Sequence, residues 1–191
     1  RYYIMKIERH FGPPILQTQA PIELVNCLNS WVDDMQPAEH EIASSKGDNP
    51  IPDLLNRGFE TLFLTYEKCD EIGFTEFVLS LAKEFNATAV LPSASFGGVP
   101  YEQHADVWVN RYYEGHSTPP HRHSYDLSGI IMLKIPDKAP KLEFMYGPEV
   151  YQPEQIVGKT LLFPSHTDHQ VHTQCTNEER RTLSFNLQCK W

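Results

Sequence analysis

Beyond Ala87 the chain stops spacing its apolar residues in threes and fours and runs instead in short segments rich in Val, Ile, Tyr, Phe and Thr, each closed by Pro, Gly or Asp. Period-two alternation, cut off every few residues by turn formers, is the pattern of half-buried strands joined by tight connections. Residues 107–113, 127–135, 141–146, 160–163, 170–174 and 182–188 are the expected strands. Upstream the spacing is helical. After the Gly12-Pro13-Pro14 break, Ile22, Val25, Leu28, Val32 and Met35 form an apolar stripe widened by Trp31, which predicts an amphipathic helix over residues 21–35. Phe77, Leu81 and Phe85 predict a second over residues 75–85. The polar stretch 36–52 and the segment 93–103 are expected as exposed loops able to cover a site. Two helices followed by many short antiparallel strands predict a mostly β protein, a jelly roll or double-stranded β-helix with the helices packed on one sheet. An immunoglobulin-type sandwich is the competing architecture, and it gives the histidines described below no purpose.

With 191 residues the chain is expected to form a single domain, residues 1–103 giving helical support and lid loops and residues 104–191 the β core. No internal repeat or low-complexity stretch divides it. Sixteen Lys+Arg against 25 Asp+Glu give a formal net charge of −9, with no dense basic block, which disfavours nucleic acid as a partner. No apolar run approaches the length of a transmembrane helix, so no membrane partner is expected. Cys27, Cys69, Cys175 and Cys189 are scattered without a CxxC pair, and the first residues lack a secretory pattern; a reducing, cytoplasmic setting is expected.

Six of the nine histidines fall in two groups, His116, His121 and His123, then His166, His169 and His172. In Pro120-His121-Arg122-His123 the imidazoles are two residues apart, so extended backbone directs both to one face, where they could grip one ion. An HxH pair alone is weak, since solvent-facing histidines in polar loops produce it too. A third feature strengthens it. Taken as a strand, the segment from Arg180 sets Arg181, Leu183, Phe185 and Leu187 on one face and Arg180, Thr182, Ser184 and Asn186 on the other. The apolar face would pack on the helices, and the polar face would look into a cavity where a guanidinium could hold a carboxylate. Asn110 and Tyr112, which alternate with Val107 and Val109, could face the same cavity, although Trp108 and Tyr112 also read as plain core aromatics.

In this order, Asn110-x-Tyr112, Pro120-His121-x-His123, Leu127-Ser128-Gly129, Leu162-Phe163-Pro164-Ser165 with His169-x-Val171, and Arg180-x-Thr182-x-Ser184-Phe185-Asn186 resemble the 2-oxoglutarate and iron(II)-dependent oxygenases. The likeness is to a small bacterial and phage-type branch, and it covers only the C-terminal half. It implies Fe(II) held by His121 and His169, with 2-oxoglutarate as co-substrate and O2 as oxidant. It further implies Arg180 on the far carboxylate, supported by Asn110, Tyr112 and Thr182, with the adjacent Arg181 as the alternative cation. The implied reaction hydroxylates an unactivated C–H bond of a peptide, amino acid or small metabolite and releases succinate and CO2.

The usual HxD or HxE carboxylate is replaced by His123, which leaves His123, Asp126 or water as third ligand. Alternation favours His123, because Asp126 is an odd number of residues from both histidines. The aromatics expected after Ser128-Gly129 are replaced by Ile130, Ile131 and Met132. Two other functions remain open at this level. A cupin-type metalloenzyme would use Gly115, His121-x-His123 and Asp126 but has no need of Arg180. A non-catalytic β-sandwich binding module would treat the histidines as fortuitous.

Overall fold

Two antiparallel sheets face one another in the computed structural model, which describes residues 5–9, 12–35, 60–96 and 99–190. In chain order the elements are β1 (Lys6–Glu8), β2 (Ile15–Gln19), α1 (Ile22–Asp34), β3 (Glu60–Thr65), α2 (Tyr66–Glu71), α3 (Phe74–Glu84), β4 (Thr88–Val90), β5 (Ser93–Phe96) and β6 (Val99–Tyr112). They continue with β7 (Thr118–His121), β8 (Leu127–Lys134), β9 (Leu142–Tyr146), β10 (Glu149–Tyr151), β11 (Lys159–Pro164), β12 (Asp168–Val171) and β13 (Arg180–Lys190). The larger sheet runs β1-β2-β11-β8-β13-β6-β3, with β4 on β13 and β5 on β6, and the smaller runs β10-β9-β12-β7. From β6 onward the chain crosses repeatedly from one sheet to the other. That is the winding of a jelly roll, and it displaces the immunoglobulin-type alternative.

The two helices lie where the apolar stripes place them. Leu24, Leu28 and Val32 of α1 and Phe77 and Leu81 of α3 are buried in one core with Val107, Val109, Leu183, Phe185 and Leu187, on the outer face of the larger sheet. A second cluster, including Tyr112, Ile130, Met132, Leu142, Phe144, Phe163 and Val171, fills the space between the sheets. Gly129 makes room for Phe185 in the first of these cores. On β8 it stands opposite Phe185 of β13, and a Cβ there would come within 2.0 Å of the Phe185 ring.

Three expectations change. Residues 93–96 and 99–103 are not loop but strand, β5 pairing antiparallel with β6 from Phe96 with Val99 to Ser93 with Ala105. The region before the β core, expected as helices and lids, also gives strands, since β1, β2 and β3 extend the larger sheet at both ends. β7 is not among the expected strands; it lies at a sheet edge, where the missing N–H of Pro119 and Pro120 is tolerated. The loop expected over residues 36–52 lies outside the described residues. No helix among the described residues is long and apolar enough to cross a membrane.

Candidate metal and dicarboxylate site

The cavity between the sheets has a volume of about 250 Å³, below the ~300–1,000 Å³ of pockets for drug-sized ligands, so it suits a small organic acid. At one end His121 closes β7 and His169 lies directly opposite on β12. His123 follows in the loop after β7, two residues on, and its ring comes back to the same place. The ligating nitrogens of all three lie within 4.8 Å of one another, and the ring centroids are 5.1 Å (His121 to His123), 4.2 Å (His121 to His169) and 5.3 Å (His123 to His169) apart.

The ring tautomers follow from hydrogen bonding. Nδ1 of His121 lies 2.9 Å from the Pro119 carbonyl, and Nδ1 of His169 lies 3.0 Å from the Thr167 carbonyl. A carbonyl only accepts, so in both rings Nδ1 carries the proton and Nε2 keeps its lone pair for an ion. Burial pushes His169 down to about 3 and His123 down to about 4, each helped by the neighbouring imidazole of His121. Burial also lowers His121, partly offset by the Pro119 carbonyl. All three imidazoles are therefore neutral at neutral pH, the state in which they ligate.

Asp126 is elsewhere. Its carboxylate accepts from the Cys189 backbone N–H at 2.8 Å and from the Gln188 amide, which ties it to the end of β13. Of the six grouped histidines, the other three stay out of the site. His116 accepts from the Tyr113 N–H, His166 is exposed, and His172 meets Glu143 at 3.2 Å.

At the other end stands Arg180, 1% exposed and the largest fully buried side chain among the described residues. Its guanidinium carbon is 5.1 Å from the Tyr112 ring centroid, and Nη2 donates to Gln155 Oε1 at 3.0 Å. Nε and Nη1 have no hydrogen-bond partner among the described residues. Burial lowers the guanidinium pKa, with the Tyr112 hydroxyl pulling the other way, but an arginine keeps its charge. A buried cation with two idle donors is costly unless an anion completes it. Arg181 is no rival, since it points to the opposite face, where Asp33 and Glu179 hold it at 2.7 and 2.9 Å.

Asn110, Tyr112 and Thr182 all line the cavity. Asn110 donates to Ser184 Oγ at 3.2 Å, and the Tyr112 hydroxyl is 2.5 Å from Thr118 Oγ1. Sequence reasoning missed Thr118 and Gln155. Thr118 opens β7, which is not among the expected strands, and Gln155 sits in a connection with no patterning of its own. Trp108, readable as plain core, lines the cavity with its ring 5.8 Å from His123.

The donor set fits a divalent transition metal. Three imidazoles leave coordination positions open, and Arg180 lines the same cavity as a buried cation able to meet an anionic group. No family model matches the sequence, and no curated protein does. The fold has close counterparts among solved structures. A Pseudomonas putida prolyl-4-hydroxylase superposes with a TM-score of 0.60 at 17% identity, covering 90% of this chain and 92% of that one. A viral collagen prolyl hydroxylase from Paramecium Bursaria Chlorella virus-1, solved as a 2OG complex, gives 0.56 at 13% identity over 93% and 96%. A 2OG-Fe(II) oxygenase family protein from Burkholderia pseudomallei gives 0.56 at 11% identity over 90% and 84%. The chain thus has the double-stranded β-helix fold of 2-oxoglutarate and iron(II) oxygenases, including prolyl hydroxylases.

Proposed function

We propose that the chain is an Fe(II)- and 2-oxoglutarate-dependent oxygenase that hydroxylates an unactivated C–H bond of a peptide, amino acid or small metabolite. In the balanced reaction one atom of O2 enters the substrate as hydroxyl, and the other enters succinate as 2-oxoglutarate loses CO2. The observation that carries this reading is the pairing of three neutral imidazoles with a buried, incompletely partnered arginine across one small cavity. A cupin-type enzyme without a 2-oxo acid would leave Arg180 without a counter-ion, and a non-catalytic module would give the converging imidazoles no task.

His121, His123 and His169 would hold the iron, which when bound supplies the activation of O2 that organic side chains lack. Because His123 is neutral where the resembling enzymes have a carboxylate, the ion would keep its full charge against an anionic co-substrate. Arg180 grips the far carboxylate through Nε and Nη1, while Tyr112, Thr182 and Asn110 line the space between. Ile130, Leu142, Phe163 and Val171 keep that space dry, which strengthens the ionic contact. A further fold neighbour, a prolyl hydroxylase in complex with a peptide fragment from Trichoplax adhaerens (TM-score 0.55, 16% identity over 86% of this chain and 76% of that one), is in keeping with a peptide among the possible substrates.

The test is an anaerobic titration with iron(II) and then 2-oxoglutarate, followed by the weak visible charge-transfer band of a metal-bound 2-oxo acid. Wild type and Asp126→Asn should develop the band, and His123→Ala should not. A wild-type protein that stays colourless overturns the proposal.

A further inference from the structure

Three of the short sequence motifs, Ser128-Gly129, Phe163-Pro164-Ser165 and Ser184-Phe185-Asn186, contribute residues to which neither the metal reading nor the Arg180 reading gives a task. The fold brings them together. Ser128, Ser165 and Asn186, exposed by 3%, 0% and 2%, form one buried chain of hydrogen bonds. Ser128 Oγ donates to Asn186 Oδ1 at 2.6 Å and lies 2.7 Å from Ser165 Oγ. The single hydroxyl proton of Ser128 is used on Asn186, so Ser165 is the donor in the serine pair. The Asn186 amide is in turn fixed by its Nδ2, which donates to Asp106 Oδ2 at 3.0 Å.

The backbone of Ser165 then grips the loop that carries His123. Its carbonyl accepts from the His123 N–H at 2.9 Å, and its N–H donates to the Asp126 carbonyl at 3.1 Å, while the Asp126 N–H donates to the Leu187 carbonyl at 3.2 Å. Ser165 also lies four residues before His169, in the turn between β11 and β12. One residue therefore touches the loop of one candidate ligand and leads into the strand of another. His123 needs this support most. The rings of His121 and His169 are each oriented by a carbonyl, whereas no ring nitrogen of His123 has a hydrogen-bond partner among the described residues.

From this convergence we infer that Ser165, locked by Ser128 and Asn186, is a positioning residue that sets the distance between His123 and His169 and so the affinity of the site for metal. The inference rests on the metal-site reading above. It assigns the serine and asparagine motifs a task in metal binding, separate from their place in the sheet.

The experiment titrates cobalt(II) alone into metal-free protein and follows the visible d–d absorption, which reports both affinity and coordination geometry. Ser165→Ala and Ser128→Ala should each weaken cobalt binding about tenfold or more, the usual range for groups that orient metal ligands, and alter the band shape. Thr160→Val is the control. It deletes a hydrogen bond of Thr160 Oγ1 to the Gly158 carbonyl, equally buried and remote from the histidines, and should bind cobalt as wild type does. If Ser165→Ala does not fold, Ser128→Ala decides alone. Serine variants with wild-type affinity and spectrum overturn the inference, as does an equal loss in Thr160→Val, which would mark general loosening. Failure of wild type to take up cobalt overturns the metal site itself.

Discussion

Arg180 and Arg181 are consecutive, equally buried and identical in chemistry, yet their surroundings are opposite. Arg181 faces α1 with every charge answered, by Asp33 at 2.7 Å, by Glu179 at 2.9 Å and by the Asn29 side chain at 3.0 Å. Among the described residues Arg180 faces the cavity with one neutral hydrogen-bond partner, Gln155, and with Nε and Nη1 idle. Strand alternation alone separates them. The same side chain is a structural rivet when its anion is built into the chain, and a binding group when its anion must arrive from outside.

The comparison breaks if the two truncations behave alike. Arg181→Ala is expected to have the largest effect on stability, about 3 kcal/mol, because it empties a buried site and takes two charge-assisted hydrogen bonds from Glu179, the buried one of its two acid partners. Urea unfolding measures the loss, and 2-oxoglutarate affinity of the folded fraction should change little. Arg180→Ala should do the reverse. Affinity for 2-oxoglutarate, read by calorimetry on the anaerobic iron-loaded protein, should fall about a hundredfold, roughly 2.7 kcal/mol, as expected for truncating one side of a buried charge pair. Its metal-free form should unfold no more easily than wild type, since the truncation also removes a desolvated cation.

Acid separates the two faces further. Burial works to raise Glu179, but the hydrogen bonds and charges of Arg181 and Arg111 outweigh it and hold the carboxyl down at about 2. A depressed carboxyl stabilises the fold above its ordinary value near 4.5, and that contribution is lost as pH falls from there towards about 2. Wild type should exceed Glu179→Gln by about 2 kcal/mol at pH 7, and the gap should close across that window in pH-stepped urea unfolding. A constant gap would mean that the ion pairs of Arg181 contribute nothing net. Among the described residues no acid faces Arg180, so Arg180→Ala should show no such convergence.

Most of this division was legible in the sequence wherever a side chain's direction follows from period two. Arg180, Thr182 and Ser184 line the cavity, while Leu183 and Leu187 pack towards the helices, as alternation along β13 requires. His121 and His123 converge for the same reason, although only the first is in the strand and the loop hydrogen bonds to Ser165 complete the alignment. What stayed hidden depends on contacts between remote segments. Nothing in the pattern of Asp126 shows that its carboxylate is used by β13, and the proline pair masks a strand that exists only because it lies at an edge. The clamp formed by Ser128, Ser165 and Asn186 appears as three unrelated fragments until β11, β8 and β13 align in register.

Gln155 is the hidden residue that sharpens the comparison most finely, with the smallest expected effect. It lies in the connection between β10 and β11, its own amide donates to the Pro140 carbonyl at 2.8 Å, and its Oε1 receives Nη2 of Arg180. A neutral acceptor at that spot orients the guanidinium without neutralising it, and so leaves its charge for an incoming carboxylate. Gln155→Ala should free the fork to swing and raise the KM for 2-oxoglutarate several-fold, on the order of 1 kcal/mol, with kcat nearly unchanged because the contact is equal in ground and transition states. Gln155→Glu is the sharper variant. It keeps the shape and supplies the missing anion, turning Arg180 into a second Arg181, so co-substrate binding should fall below that of the alanine variant while the metal-free protein gains stability. A glutamate that leaves the KM at the wild-type value would show that Arg180 does not hold the diacid.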